Sequence, residues 1–519
     1  MARAGRMWPD SVRPEEQAFA DLAEAAPSSA GFEFDSTGNL VVHVRDDADV
    51  APARSRTAAF LVTGRVRGGR ARPATVMVVP AQYSFGELAV WRDRLLVGLL
   101  GVAPHVNALD LDERANRVVV GLDVEPGENV RRPLVALITG LAVDTNAVQF
   151  RRFSFVSTVA RAGASRRRYG TNIQYQADTL VGGLRYSTST GLCTIGLVVD
   201  YGSTRSFLSA SHCTSDFFGY DGSIAYQSGS PRTAGVESVD PGGYTCNWIM
   251  DCRGSDAALF SVQDSLIAKS RRGLVAKTQH RSGPGGSTDG SLWWDPSDPY
   301  FYIVDLMSAY TGMSLDKIGA TSGWTYGSVT ATCLDFTSGL HRVTCTTEAA
   351  IRNYEGDSGG PVLYIIGAGS GATLVDFVGL VTGRNNDTTR TYLSPYGRIV
   401  NDIGSMTFTA ATSLSTPSVS GSVLSGGEQQ LTWSAVAGAS RYEIYELIND
   451  GSQYTSWYVG RTTSTSSTQS ILYATSYAGT TRPGSGTWVE YRVYAVGSGG
   501  VSTPSTPIYF VTGTCTGRC

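Results

Sequence analysis

Three short segments in the middle of the chain carry the residue types that nucleophilic catalysis needs. They are SASHC with His212, SDAAL with Asp256, and EGDSGGPV with Ser358. An imidazole can take the proton of a serine hydroxyl, and a carboxylate can fix the imidazole tautomer, so that the serine becomes a nucleophile. Glycines beside the serine let the backbone turn tightly and aim N–H groups at a developing oxyanion.

The order of these three residues is more informative than any one of them. A single histidine often has a structural role, and a single aspartate in a loop is often a turn former. Taken alone, each residue could therefore be either structural or catalytic. Asp256 follows His212 by 44 residues, and Ser358 follows Asp256 by 102. The order His, Asp, Ser is used by one of three unrelated triad lineages. We therefore interpret the three as candidate catalytic residues.

The composition excludes several functional classes. A length of 519 residues corresponds to about three domains, and 60 glycines with 17% charged residues favour turn-rich β structure over helical bundles. With 42 basic and 45 acidic residues the net charge is −3, which predicts no nucleic-acid partner. The longest apolar stretches, 95–103 and 134–143, are about half of the ~20 residues that cross a bilayer, so no membrane span is predicted.

The eight cysteines fall into close pairs without CxxC or Cys/His metal spacing. We interpret them as disulfide-forming in an oxidising compartment, with metal binding as the alternative, and we expect no metal and no cofactor. The first thirty residues lack an apolar core, so a secretory signal is either missing from this chain or replaced by another export route. The pairs are Cys193/Cys213, Cys246/Cys252, Cys333/Cys345 and Cys515/Cys519.

A cysteine-free front region with α+β structure is predicted at residues 1–165. Within it, Ser84 and Glu87 form a capping box ahead of apolar residues at helical spacing. The basic segment 161–172 has the composition of an exposed linker. Its arginines at 166–168 are either a solvated turn or a processing site.

The rest of the chain is rich in short β runs separated by turn residues. The succession of short β runs over residues 172–405 predicts either two packed β barrels or a large β-sandwich. Residues 412–513 alternate polar and apolar positions with even spacing, which predicts a separate β-sandwich, and residues 514–519 form a cysteine-containing tail. The predicted fold class is therefore mainly β, with an α+β region in front and a β-sandwich behind.

The SASHC, SDAAL and GDSGGPV segments resemble the motifs of the chymotrypsin-fold (trypsin-like) serine proteases. Residues 319–329 (GATSGWTYGSV) resemble a strand of that family's second barrel, especially in the bacterial secreted branch of streptogrisins and alpha-lytic protease. The resemblance covers about residues 180–405 and implies a two-barrel fold. The front region is similar to the pro-regions of that branch, and the last hundred residues are similar to fibronectin type III modules.

This resemblance implies a role for each candidate residue. His212 would be the general base and acid, Asp256 its orienting partner, and Ser358 the nucleophile. The backbone N–H groups of Gly356 and Ser358 would form the oxyanion hole. Asp251 is the nearest competitor for the role of Asp256, but it lacks the Ala-Leu pair that follows in the motif.

The resemblance also implies one disulfide bond and one ion pair close to the site. A bridge between Cys193 and Cys213 would close the loop beside the histidine. Residues 180–183 (LVGG) imitate the mature N-terminus of animal relatives, whose freed amine pairs with the aspartate before the serine. The bacterial branch uses an internal basic residue instead, and Lys317 is the candidate partner of Asp357.

The family's substrate pocket would lie at Arg352, Thr382, Gly383 and Arg384. Two arginines there favour an acidic substrate side chain, because a guanidinium binds a carboxylate bidentately. Alternatively the arginines pair within the chain or reach solvent, and the preference is broad or small and apolar. Segment 283–300, with its two tryptophans, is an insertion that forms either a structured loop or a wall of the substrate site.

Taken together, the motifs predict a secreted, monomeric serine endopeptidase that acts on protein or peptide substrates. It would be made as a self-processing precursor whose own pro-region is a further binding partner. Two alternatives stay open: a catalytically silent, adhesin-like protein with a protease fold, and an esterase that uses the same triad.

Overall fold

The computed structural model describes most of the chain. The residues described are 16–36, 38–62, 76–157, 172–228, 231–246, 250–283, 288–366, 371–410, 414–449, 454–470, 474–483, 486–497 and 500–512. The predicted linker up to residue 171 and the tail at 514–519, with Cys515 and Cys519, lie outside them. Within these ranges, no helix has both the length and the apolar character needed to span a bilayer.

The front region is an α+β unit that contains two small groups of strands. Its predicted capping box is present: Ser84 Oγ accepts from the Glu87 N–H, and the Glu87 carboxylate accepts from the Ser84 N–H. The first group is a sheet in which the second strand pairs antiparallel with the first and parallel with the third. The elements are α1 (Gln17–Ala25), β1 (Ser29–Phe34), β2 (Leu40–Val44), α2 (Val50–Val62), β3 (Val76–Pro80), α3 (Phe85–Gly98), β4 (Val106–Asp112), β5 (Arg117–Leu122), α4 (Glu128–Gly140), β6 (Val148–Arg152) and β7 (Val156–Ser157).

The middle of the chain is almost entirely β and forms two bodies, in the two-barrel arrangement that was predicted. The strands up to residue 262 are β8 (Leu180–Gly182), β9 (Arg185–Ser187), β10 (Leu192–Thr194), β11 (Leu197–Tyr201), β12 (Thr204–Ser209), β13 (Ile224–Gln227), β14 (Thr233–Val239), β15 (Tyr244–Cys246), β16 (Met250–Arg253) and β17 (Ala258–Val262). Of these, β8, β15 and β16 pair into the sheet of the second body, and the others form the first body. Seven of these form one antiparallel sheet in the order β10-β9-β13-β14-β17-β12-β11. Apolar rings fill its interior, with Phe207 and Phe260 stacked 5.0 Å apart.

The second body follows directly along the chain. Its elements are α5 (Asp264–Ile267), β18 (Ser270–Ala276), β19 (Tyr300–Leu306), β20 (Ser314–Gly319), β21 (Gly323–Ser338), β22 (His341–Ala349), β23 (Pro361–Ile365), β24 (Leu374–Arg384), β25 (Thr391–Pro395) and α6 (Tyr396–Ile403). The strands from β20 to β25 pair antiparallel with one another. The mainly β fold class is therefore confirmed.

The front region and the second body share a sheet and a core. Strand β4 pairs antiparallel with the long strand β21, with Leu109 opposite Asp335 and Ala108 opposite Phe336. Tyr310 of the second body packs its ring 5.2 Å from Phe32 of the front region. One hydrophobic core therefore extends across both parts.

The C-terminal part folds as a β-sandwich of two sheets. Its strands are β26 (Val419–Val423), β27 (Gln429–Trp433), β28 (Arg441–Asn449), β29 (Tyr454–Thr462), β30 (Ser466–Gln469), β31 (Ala474–Gly479), β32 (Trp488–Gly497), β33 (Gly500–Val501) and β34 (Ile508–Thr512). One sheet has the order β26-β27-β30, and the other has β29-β28-β32-β34-β31, with β33 on β32. The alternation predicted from the sequence corresponds to side chains that face the core between these sheets.

The described part of segment 283–300 contacts this sandwich. The Asp298 carboxylate lies 2.7 Å from Lys277 Nζ and 3.0 Å and 3.2 Å from the guanidinium groups of Arg441 and Arg461. Both arginines belong to the sandwich, on β28 and β29. Asp298 therefore joins the second body to the C-terminal sandwich.

Candidate active site

Among the three candidate catalytic residues, His212 lies within hydrogen-bond distance of both Asp256 and Ser358. His212 Nδ1 lies 2.5 Å from Asp256 Oδ2, and His212 Nε2 lies 2.7 Å from Ser358 Oγ. The backbone N–H of His212 also donates to Asp256 Oδ1 at 3.0 Å. The carboxylate thus holds both the ring and the backbone of the histidine, while the other ring nitrogen faces the serine.

Strand pairing in the first body brings the histidine to the aspartate. Strand β12 runs antiparallel to β17, with Ser209 opposite Ala258. His212 lies in a short 3₁₀ turn just after β12, and Asp256 lies just before β17. The ends of two paired strands meet at the same edge of the sheet, so residues 44 apart in sequence become neighbours.

The serine lies in a tight turn before β23 of the second body. Gly356 and Gly359 on either side have φ values of 96° and 78°, in the region that favours glycine. A Cβ at Gly359 would overlap Ser209 Oγ, so only glycine allows the turn to approach β12 this closely. The Gly359 N–H donates to the carbonyl of Val381 on β24, which fixes the turn against that strand. The oxyanion hole at Gly356 and Ser358 stays a prediction.

Asp357, next to the nucleophile, forms a buried ion pair with Lys317. Nζ lies 2.7 Å from Oδ2, and both side chains are fully buried. Burial alone raises the pKa of Asp357, but the Lys317 ammonium and the hydrogen bond from Ser322 outweigh it and hold that pKa below its usual value. Residues 180–183 form the buried internal strand β8 and its turn, so the basic partner of Asp357 is internal.

Asp256 is supported from behind by residues that the sequence did not reveal. Its N–H donates to Ser394 Oγ at 2.9 Å, and Ser394 is hydrogen-bonded to Thr382 Oγ1 at 2.8 Å. Phe217 packs edge-on to the His212 ring at 6.1 Å. Neither Ser394 nor Phe217 belongs to a motif, so no sequence signal could have marked them.

The two arginines of the predicted pocket both face carboxylates of the chain. Arg352 Nε lies 3.7 Å from Asp289, and Arg384 Nη2 lies 3.7 Å from Glu355. Arg384 also donates to the backbone carbonyl of Asn385. Pairing within the chain was the alternative to an acidic preference, and these contacts favour it.

Asn353, which the sequence analysis passed over, lies between the two predicted walls of the pocket. Its Nδ2 donates to the Gly383 carbonyl at 2.8 Å, so the segment before the nucleophile is tied to β24 through a side chain. Thr382 and Gly383 lie on that strand, and Arg384 is its last residue. The pocket assignment stays a prediction.

The front region reaches the site through its last described strand. Strand β7 runs antiparallel to the end of β24, with Ser157 opposite Gly383 and Val156 opposite Arg384. The Tyr392 hydroxyl donates to the carbonyl of Ser154 at 3.0 Å. In this form of the chain Ser358 is 0% exposed.

Three of the four predicted disulfide bonds are present among the described residues. The first ties strand β10 to the turn that carries His212. The fourth pair, Cys515 and Cys519, lies outside the described residues, so its bridge stays a prediction. The three bonds join Cys193 to Cys213, Cys246 to Cys252, and Cys333 to Cys345.

The potential metal ligands among the described residues do not form a cluster. Among them, no group of three or more His, Cys, Asp or Glu side chains is arranged to hold a metal ion. The six cysteines that the structure describes are all committed to disulfides. The expectation that the protein needs no metal and no cofactor stays a prediction.

Comparisons with known proteins reach only solved structures. No protein-family model matches the chain, and no curated protein matches it. Protease A of Thermobifida fusca is 20% identical over 45% of this chain and 100% of its own, with a TM-score of 0.32. A Nocardiopsis protease is 19% identical over 44% of this chain and 100% of its own, with a TM-score of 0.31.

The C-terminal part also has a similar solved structure. An Fn3-like protein from Clostridium thermocellum is 29% identical over 18% of this chain and 84% of its own, with a TM-score of 0.12. At such identities and TM-scores these likenesses carry no argument about activity.

Proposed function

We propose that this chain is a serine endopeptidase in which His212, Asp256 and Ser358 form the catalytic triad. The observation that carries the proposal is the continuous pair of contacts from the Asp256 carboxylate through the His212 ring to Ser358 Oγ. A neutral imidazole held by a carboxylate on one nitrogen and facing a hydroxyl on the other is arranged to accept the hydroxyl proton.

The chemistry follows from these positions. Ser358 Oγ attacks the substrate carbonyl carbon while its proton passes to His212 Nε2, and the negative charge on the carbonyl oxygen is stabilised by the N–H groups of Gly356 and Ser358. His212 then gives the proton to the leaving amine, which leaves an acyl-enzyme. Water then attacks the ester of the acyl-enzyme while His212 accepts its proton, and His212 returns a proton to Ser358 Oγ as the acid product leaves.

The front region acts in this proposal as a folding assistant and inhibitor. Strand β4 extends the sheet of β21, and strand β7 lies along β24 next to the nucleophile turn. A precursor that is inactive until it is cut is expected to bury its nucleophile and to pair a segment of its own chain with the strand beside the nucleophile. Residues 1–165 would be removed by a self-catalysed cut near 165–180 to give the active enzyme.

The proposal also assigns a role to the rest of the chain. Residues 172–405 form the protease domain, residues 412–513 a fibronectin type III-like module, and residues 514–519 a cysteine-containing tail. Disulfides favour an oxidising compartment, so the enzyme is proposed to be secreted and to act as a monomer on protein or peptide substrates.

Covalent labelling by a fluorophosphonate, measured together with casein hydrolysis, tests the proposal. Wild-type enzyme should label and cleave casein, whereas Ser358→Ala should do neither and should accumulate as the full-length precursor. Absence of labelling in folded, processed wild-type protein would mean a silent protease fold. Hydrolysis of simple esters without hydrolysis of casein would indicate an esterase.

A further inference from the structure

The loop that follows His212, residues 214–223, places an aromatic side chain against the imidazole. Phe217 packs edge-on to the His212 ring, with the ring centroids 6.1 Å apart. The next residue, Phe218, has a φ of 65°, which is rare for a bulky side chain and persists only where the surrounding structure imposes it. The loop therefore needs anchors that hold it in this conformation beside the histidine.

Two carboxyl groups anchor the far end of this loop. Glu237, on strand β14, accepts the backbone N–H groups of Asp221 and Ser223 at its Oε2, both at 3.0 Å. The Asp221 carboxylate accepts the backbone N–H groups of Ser223 and Ser215, both at 2.8 Å. One N–H, that of Ser223, is therefore shared by both carboxyl groups, and the loop closes around the pair.

The shared donor makes the two carboxyl groups close neighbours. Glu237 is 2% exposed, and among the described residues its Oε1 finds no hydrogen-bond donor. Two ionised carboxylates in one site repel each other, and neither has a hydrogen to donate. Because Oε2 of Glu237 already accepts two N–H groups, a single proton on Oε1 would remove the repulsion and supply the missing donor.

The surroundings of the two groups place that proton on Glu237. Burial, followed by the hydrogen bond with Asp221, raises the pKa of Glu237 to about 7. Burial also raises the pKa of Asp221, but hydrogen bonds from Ser223 and Glu237 outweigh it and hold that pKa below its usual value. Glu237 is thus the donor of the pair, and Asp221 is the acceptor.

The other ionisable groups around Glu237 do not lose a contact when they ionise. Asp240, which follows the same strand, lies 2.5 Å from Arg253 Nη1, so its carboxylate gains a counter-charge. Burial raises the pKa of Tyr186 above its usual value, and its hydroxyl donates to Ser209 at 2.8 Å. Loss of the Glu237 proton differs from both cases, because it leaves two neighbouring carboxylates with no donor between them.

We propose that Glu237 is a positioning residue for the reaction, which holds the 214–223 loop against His212 only while its carboxyl group is protonated. The inference rests on the proposed function, because the reaction is that of the triad. As the pH rises the proton is lost, the two carboxylates repel each other, and the loop that carries Phe217 loosens. Activity then falls on the alkaline side as well as on the acid side, where a protonated His212 cannot accept the serine proton.

Glu237→Gln tests the inference, because an amide keeps the shape of a protonated carboxyl group, with an N–H donor for Asp221 and an oxygen that accepts from the loop. The full chain is expressed, active sites are counted by fluorophosphonate titration, and kcat for a peptide amide is measured from about pH 5 to pH 10. Glu237 is protonated below about pH 7 and ionises above it. We expect wild-type kcat to fall about fivefold above that pH, and Glu237→Gln to show no such fall.

Asp240→Asn is the matched control, because it changes the neighbouring carboxyl group in the same way. This variant should keep the alkaline fall of kcat. A fall that persists in Glu237→Gln, or that disappears in Asp240→Asn alone, would overturn the role of Glu237. Activity that is lost in a chelator and restored by calcium would place a cation between the two carboxyl groups, and would also overturn it.

The infrared band of a protonated carboxyl group measures the proton without any catalysis. The full-length Ser358→Ala chain is compared with the same chain carrying Glu237→Gln at about pH 6. The difference between the two spectra should contain one such band, and the band should vanish above about pH 8. Its absence at pH 6 would show that Glu237 is ionised and would overturn the inference.

The outcomes distinguish the inference from the proposed function. Wild-type enzyme that labels with the fluorophosphonate and keeps a constant kcat above pH 7 would overturn the role of Glu237 while leaving the protease assignment intact, and this measurement needs no variant to fold. Enzyme that neither labels nor cleaves the peptide would overturn the protease assignment, and with it the positioning role of Glu237.

Discussion

Lys317 Nζ lies 2.7 Å from Asp357 Oδ2 in the interior of the second body. The same carboxylate accepts backbone N–H groups from Thr321, Ser322 and Tyr354, so it links two further segments to the nucleophile turn. Because Lys317 lies on β20, this ion pair couples the conformation of the nucleophile turn to that strand.

Lys317→Met tests this dependence. The substitution leaves a buried carboxylate without its counter-charge, which typically destabilises a fold by about 3–5 kcal/mol. We expect a lower urea midpoint and a loss of casein hydrolysis. Lys269→Met, at an exposed position, serves as the control. Equal midpoints for the two variants would show that Asp357 does not need Lys317.

Asp256→Asn should reduce kcat by roughly 10⁴, because the amide favours the wrong tautomer of His212. The fold should be retained, since Asn can still accept the backbone N–H of His212. Steady-state kinetics on a peptide amide measures the loss. Asp251→Asn, the rejected alternative in the sequence, should have little effect on kcat. Comparable losses in both variants would argue against the assigned triad.

Removal of the Cys193–Cys213 bridge should reduce stability rather than abolish chemistry. The bond spans 20 residues, which corresponds to roughly 3 kcal/mol in the chain-entropy model. The paired Cys→Ala variant should show a lower unfolding midpoint with a nearly unchanged active-site titre. The Cys246–Cys252 pair spans only 6 residues and should cost less when removed. Free thiols in secreted wild-type protein would contradict the assignment of these cysteines to disulfide bonds.

The precursor should lose stability as the pH rises, because of Asp110 on β4. Burial raises the pKa of Asp110 to about 8, although Arg151 opposes the shift. An unfolded aspartate has a pKa of about 3.9, so the folded state holds an extra proton between roughly pH 4 and pH 8. Stability is then greatest below that window and falls as the pH rises through it.

The measurement uses the full-length Ser358→Ala chain, in which the proposed self-cleavage would be blocked. Its Tm should fall between pH 5 and pH 9, and Asp110→Asn should flatten that dependence. Asp47→Asn, at an exposed position of the same region, should not. Glu113 of the same region would contribute to any slope that remains, because burial and the nearby Asp110 carboxyl raise its pKa well above the usual value.

The proximity of the three candidate catalytic residues was predictable because each lies in a contiguous motif with its own local signal. The capping box at Ser84 was predictable for the same reason, since its two side chains are three residues apart. The mainly β class followed from short runs separated by glycine. In each case the information is local in the sequence.

The remaining features depend on contacts between distant segments. Ser394 supports Asp256 from 138 residues away, and Asn353 contacts a carbonyl 30 residues away. Neither residue differs in its local sequence from an ordinary polar residue: Ser394 lies on β25, and Asn353 lies in the loop after β22. The same holds for Asp298, whose partners Arg441 and Arg461 lie in a different part of the chain.

The pairing of β7 with β24 also determines how latency would respond to dilution. While both strands belong to one chain, β7 of the proposed precursor would compete with substrate at an effective concentration on the order of millimolar, whatever the concentration of the protein. Once the chain is cut, the same contact becomes bimolecular, and its occupancy falls as the protein spreads into a larger volume. Release from the cell would then itself be an activating step.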